Sequence, residues 1–92
     1  MGEVQDFGWA IDCLKAGKCV RREGWNGKGM YLFLVDGQCP APNVRVVGGH
    51  PISEDDVPVA AHVWMYTAQG EYQPGWLASQ ADMLADDWEL VS

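Results

Sequence analysis

The chain carries Gly24-Trp25-Asn26-Gly27-Lys28-Gly29, a run that places a large flat ring, a side-chain amide, a cation and three glycines together between two apolar segments. Glycines let backbone N–H groups approach a ligand closely, which is how glycine-rich loops cradle phosphate oxygens. The run is neither a Walker loop nor a dinucleotide GxGxxG. The same residues also fit a plain turn whose Trp caps the core. A second Trp lies in Gly75-Trp76-Leu77-Ala78-Ser79, just ahead of a helix start at which Ser79 is the expected N-cap. Free N–H groups at such a start favour an anion, although local sequence favours Ser79 satisfying its own helix and Trp76 packing on a sheet. Read together, the two Trp loops and the cations Arg21, Arg22 and Lys28 would make a pocket that stacks a purine and neutralises phosphate.

Catalysis has less support. Asp82, Asp86 and Asp87 are closely spaced carboxylates, but Asp86-Asp87 ahead of a strand reads as a solvated turn. Ser79 has no His near it in sequence, and neither Cys13 nor Cys19 lies in a nucleophile motif, so no catalytic residue is expected. Cys13, Cys19 and Cys39 are odd in number and lack CxxC spacing, and His50 and His62 stand at no ligand spacing. Reduced thiols are therefore expected, with no metal and no cofactor.

The elements that must hold these loops follow from the pattern. Asp6 caps a helix from Phe7 to Ala16 with Ile11 and Leu14 on one face beside Phe7 or Ala10, and Gly17 stops it. Lys18–Glu23 and Met30–Val35 read as strands on either side of the glycine-rich loop. Ala61–Thr67 and the shorter Glu71–Gln73 form a hairpin across Ala68-Gln69-Gly70, which Pro74-Gly75 closes. Ser79-Gln80-Ala81-Asp82 has capping-box form and opens a helix through Leu84, before a last strand Trp88–Val91. Between Gln38 and Val59, four prolines and Gly48-Gly49 interrupt every pattern except Val44–Val47. A loop of that length suggests contact with a partner or another subunit. The expectation is one domain over residues 1–92 of α+β class: an antiparallel sheet, an N-terminal helix and a short C-terminal helix.

Ninety-two residues leave room for one core, and 48% hydrophobic against 21% charged residues exclude a disordered chain. A net charge of −7 argues against nucleic-acid polymers and anionic membranes as partners. The N-terminus has no signal-like run, no myristoylation pattern and no window approaching 18 apolar residues, which points to a cytoplasmic protein. Five Trp are more flat surface than so small a core can hide. Trp9, Trp64 and Trp88 suit the core or subunit contacts, leaving Trp25 and Trp76 to clamp a base.

Two stretches carry a resemblance. Val20-Arg21-Arg22-Glu23-Gly24-Trp25-Asn26-Gly27-Lys28-Gly29-Met30, preceded by Phe7-Gly8, Ala10, Leu14 and Gly17, contains RxGWNGKGM. Trp76 to Trp88 reads WxASQxDMLAxDW. Together they resemble the Thoeris anti-defence 2 family of small phage and prophage proteins, over essentially the full length. That resemblance implies a sponge that sequesters cyclic ADP-ribose isomers without cleaving them, so that the Thoeris effector is not activated. It also implies capture of cyclic oligonucleotides, dinucleotides or trinucleotides, at a separate site in some members, and a homotetramer with pockets between subunits. Carried onto this sequence, Trp25 and Trp76 would stack on adenine and Asn26 would bond base or ribose. Amides around Gly27 and the Ser79 helix start, with Arg22 or Lys28, would meet pyrophosphate. Asp82 would take a ribose hydroxyl, and Phe7 and Ile11 would form an apolar wall. A small enzyme acting on the same signal and an acidic protein-binding inhibitor are the competing readings.

Overall fold

The computed structural model describes residues 5–35 and 60–91, so the Gln38–Val59 loop and its Val44–Val47 run lie outside the described residues. Helix α1 spans Phe7–Lys15, with the Asp6 carboxylate accepting from Trp9 N–H at 2.9 Å. The helix ends one residue before the expected Ala16. Gly17 at φ 86° turns the chain, and Gly17 and Lys18 N–H groups close on the Leu14 and Cys13 carbonyls. Glycine adopts that left-handed conformation without a Cβ penalty.

The strands are β1 Val20–Arg22, β2 Tyr31–Val35, β3 His62–Tyr66, β4 Tyr72–Pro74 and β5 Trp88–Leu90, with the short α2 at Gln80–Leu84. They form one antiparallel sheet in the order β4-β3-β2-β1-β5. The α+β architecture read from the pattern is the one found. β1 is shorter than the expected Lys18–Glu23, because Lys18 is used in the helix cap. β4 is shifted onto Pro74, which pairs with Trp64. An outermost strand tolerates a residue without an N–H.

Helix α1 lies across β1, β2 and β5. Its Ala10 and Leu14 are buried with Val20, Leu32, Met65 and Trp88, while Phe7, Ile11 and Trp9 pack half-buried around that core. Leu32 pairs with Met65 across the strands, so the strand period of two sends both to the helix side. The alternate residues Tyr31, Phe33, Trp64, Tyr66 and Tyr72 form an aromatic ladder on the other face. Trp64 belongs to this ladder, with its indole N–H on His62 Nε2, and Trp88 is the Trp of the core.

Candidate functional site

The site grows from the end of β1, where chain direction, not side-chain chemistry, first decides the layout. After Arg22 the backbone remains tied to the β5 side: Glu23 N–H donates to the Asp87 carbonyl at 3.0 Å and Gly24 N–H to Asp87 Oδ2 at 2.8 Å. A Cβ on Gly24 would stand 2.8 Å from that carboxylate oxygen, so a side chain there would displace it. The loop then swings out through Trp25 to Gly29, which has φ 80°, and re-enters at β2.

Trp25, Gly27, Lys28 and Met30 from this loop, with Arg21 and Glu89 from the adjacent strands, line an open cleft of about 480 Å³. Arg22 borders it as well. Gly27 is held tightly. A Cβ there would overlap Met30 Sδ and lie 2.8 Å from the Ala68 methyl. Gly27→Ala is therefore expected to cost about 1–3 kcal/mol, read as a lower melting temperature, because the loop and the β3–β4 turn must move apart. An unchanged melting temperature would mean that the loop does not pack on Ala68.

Arg22 holds the base of the loop. Its Nε donates to Asp87 Oδ1 at 2.8 Å and its Nη1 to Asp82 Oδ1 at 2.9 Å, with side-chain exposures of 20% for Arg22, 13% for Asp82 and 25% for Asp87. The bond to Asp87, then that to Asp82, raise the Arg22 pKa further above its ordinary value. The Arg22 bond holds the Asp87 carboxyl below the usual range, helped by Gly24 N–H and opposed by burial. Burial pushes the Asp82 carboxyl up, but hydrogen bonds from Trp25, Arg22 and Ser79 more than offset this and leave it lowered.

Asp82 accepts at both oxygens. Oδ1 receives Arg22 Nη1 and Trp25 Nε1 at 3.1 Å; Oδ2 receives Ser79 N–H at 3.2 Å and Ser79 Oγ at 2.9 Å. Those are four bonds, about the full capacity of a carboxylate. Ser79 Oγ in turn accepts from Asp82 N–H, completing the capping box. The anion at the start of this five-residue helix is thus the protein's own Asp82.

The two Trp loops meet at their rings. Trp25 and Trp76 have ring centroids 6.3 Å apart at 63°, and both rings touch Trp88 nearly at right angles. Trp76 is placed by Gly75 at φ 76° and by its N–H on the Val63 carbonyl. Within one protomer these rings form a corner, not the parallel pair that a base sandwich needs, so the expected clamp is corrected to two separate faces. Phe7 packs on Trp88 at 5.5 Å, Ile11 packs beside the core, and Asn26 is exposed on the loop. Arg22, Trp25, Gly27 and Lys28 therefore share the cleft, while Phe7, Ile11, Trp76, Ser79 and Asp82 lie behind or beside it.

Two expected roles change. Arg22 spends its charge on two carboxylates, and Arg21 pairs with Glu89 at 2.8 Å in a more exposed bridge. Lys28 is the cleft cation with no acidic partner among the described residues. Asp87, read from sequence as a solvated turn, proves to be a half-buried anchor of Arg22 and the loop. No local signal marks it, since its partner lies 65 residues away in the chain.

This arrangement has known relatives. A family model described as the Thoeris anti-defense 2-like domain matches residues 5–91. A protein named Thoeris anti-defense 2, from Bacillus phage SP01, is 38% identical over 92 residues and covers 100% of both chains. A model that spans both Trp loops and the sheet between them, together with a full-length relative at that identity, means that this chain belongs to the Thoeris anti-defence 2-like family of anti-defence proteins.

Proposed function

We propose that the protein blocks Thoeris defence as a sponge, binding cyclic ADP-ribose isomers and holding them intact so that the effector is never activated. The observation that carries this reading is the cleft in which the Trp25 ring stands beside the Gly27–Gly29 backbone and the Lys28 ammonium. A purine stacks on an indole, and the pyrophosphate meets the loop amides and Lys28. Asn26 bonds the base or ribose, Trp76 adds a second face, and Phe7 and Ile11 back the aromatic corner. The negative net charge is a small penalty, because it is screened beyond about 10 Å at 0.1 M salt.

Retention without cleavage has its own support. Asp82 and Asp87, which anchor the base of the loop through Arg22, are both held in the ionised form. A proton-transfer group needs a pKa near working pH, and these lie on the wrong side of it. Assembly into a homotetramer with shared pockets is favoured by exposed apolar side chains along the α2 segment: Leu77 is 88% and Leu84 83% exposed. Large apolar side chains left in water at this density favour a subunit contact. The site of action is the cytoplasm of the infected cell, where the signal is made; no helix among the described residues is long and apolar enough to cross a membrane.

The test is recovery. The protein is saturated with a cyclic ADP-ribose isomer, heat-denatured, and the released nucleotide quantified by mass. Intact ligand in stoichiometric amount is expected, whereas linear or hydrolysed product would overturn the sponge reading in favour of a small enzyme. Calorimetry with cyclic ADP-ribose isomers and cyclic dinucleotides, alongside a native mass, measures the preference, any second site and the tetramer. Failure to bind any nucleotide would favour the acidic protein-binding inhibitor.

A further inference from the structure

We propose that Asp82 is a positioning residue: it sets the Trp25 ring against which the base stacks, and does not itself touch the nucleotide. The proposal rests on the sponge reading and assigns Asp82 a different task within it.

Trp25 sits in a loop without regular structure, so nothing in its own backbone fixes the plane of its ring. Two things do. Its edge abuts Trp88 and Trp76, and its Nε1–H ends on Asp82 Oδ1, 57 residues along the chain. The carbonyl of the same residue, Asp82, receives Trp88 Nε1–H at 3.1 Å. Two indoles of the corner are therefore referenced to one residue, one through its side chain and one through its backbone. Their rings stand at 80° to each other, an edge-to-face arrangement that aromatic pairs favour and that the two N–H bonds to Asp82 pin in place.

Asp82 is in turn immobilised. Ser79 holds Oδ2 through two donors and Arg22 holds Oδ1, which leaves the carboxylate no lone pair for a ribose hydroxyl and little freedom to rotate. Arg22 itself is held by Asp87. The chain of bonds runs from β5 through Arg22 to α2 and ends at the indole, so the two Trp motifs work as one unit. A ring fixed before the ligand arrives gives up less freedom on binding, which raises affinity and slows release.

A cycle of variants distinguishes positioning from contact. In the wild-type background Asp82→Ala is expected to weaken binding of a cyclic ADP-ribose isomer by roughly 5- to 30-fold. In a Trp25→Phe background, where the N–H donor is gone and a ring remains, Asp82→Ala should add no more than about twofold. An equal loss in both backgrounds would show that Asp82 meets the ligand directly and would overturn the proposal. The second readout needs no ligand. Among the five indole N–H signals of 15N-labelled protein, the one that Trp25→Phe deletes should move and broaden in Asp82→Ala, while those of Trp9 and Trp64 stay. A Trp25 signal unmoved by Asp82→Ala also overturns the proposal. Should Asp82→Ala fail to fold, Asp82→Asn enters the same cycle, since one oxygen cannot serve four donors. If the wild type binds no isomer, the sponge reading falls, and the indole spectra still decide whether Asp82 sets Trp25.

Discussion

Arg22→Ala is expected to lower the melting temperature by roughly 10–20 °C, which corresponds to a loss of about 2–3 kcal/mol in a domain of this size. The deletion does more than remove two hydrogen bonds. It leaves Asp82 and Asp87, both ionised and mostly shielded from water, without the cation between them. Fully buried pairs cost more when broken; partial access to water here sets the lower figure. Arg22→Lys should recover only part of the loss, because an ammonium is a point charge and cannot span two carboxylates as a planar fork does.

The pH dependence gives the same prediction an independent check. Asp82 and Asp87 both have lowered pKa values in the folded protein. Their contribution is complete above the unfolded carboxylate value of about 3.9 and disappears as pH falls through the lowered folded values. The raised pKa of Arg22 adds nothing over this range, since it stays charged throughout. Wild type and Arg22→Ala should therefore differ most at neutral pH and converge only once the pH has fallen below the lowered folded values of the two carboxyls. A variant that melts within a few degrees of wild type at pH 7, or a gap that persists in acid, would show that the Arg22 network does not hold the loop to β5.

Trp25→Ala is the second large effect, and it falls on binding. Base–aromatic stacking is worth about 1–3 kcal/mol by alanine substitution, so affinity for a cyclic ADP-ribose isomer should drop roughly 10- to 100-fold by calorimetry. The variant should still fold, because Trp25 is half-buried at the edge of a core whose centre is Leu14, Val20, Leu32 and Trp88. Trp25→Phe keeps a ring but loses the bond to Asp82, and should lie between the two. An acidic inhibitor working by charge would be indifferent to either change. Binding of Trp25→Ala at wild-type strength, with the fold intact, would move the site away from this cleft.

Much of this molecule was legible along the chain. Asp6, Gly17 and the spacing of Ala10 and Leu14 specify α1 locally, because a helix closes its bonds within four residues. The apolar and aromatic runs Tyr31–Val35 and His62–Tyr66 specify two strands, and Ser79 with Asp82 specifies the start of α2. The RxGWNGKGM and WxASQxDMLAxDW runs suffice to identify the family, and they single out Trp25 and Trp76 as the exceptional aromatics. Tertiary structure decided how these residues are used. Arg22 looked like a free cation for phosphate, and Asp87 like a solvated turn, until pairing of β1 with β5 brought them within 2.8 Å. Asp82 looked available for a sugar hydroxyl until Arg22 and Trp25, about 60 residues away in the chain, filled the oxygen that its own Ser79 cap leaves open. The physical reason is the same in each case. Helices, caps and turns are satisfied by neighbours in the sequence, whereas the charge state and spare hydrogen-bonding capacity of a side chain depend on groups that only the folded sheet brings beside it.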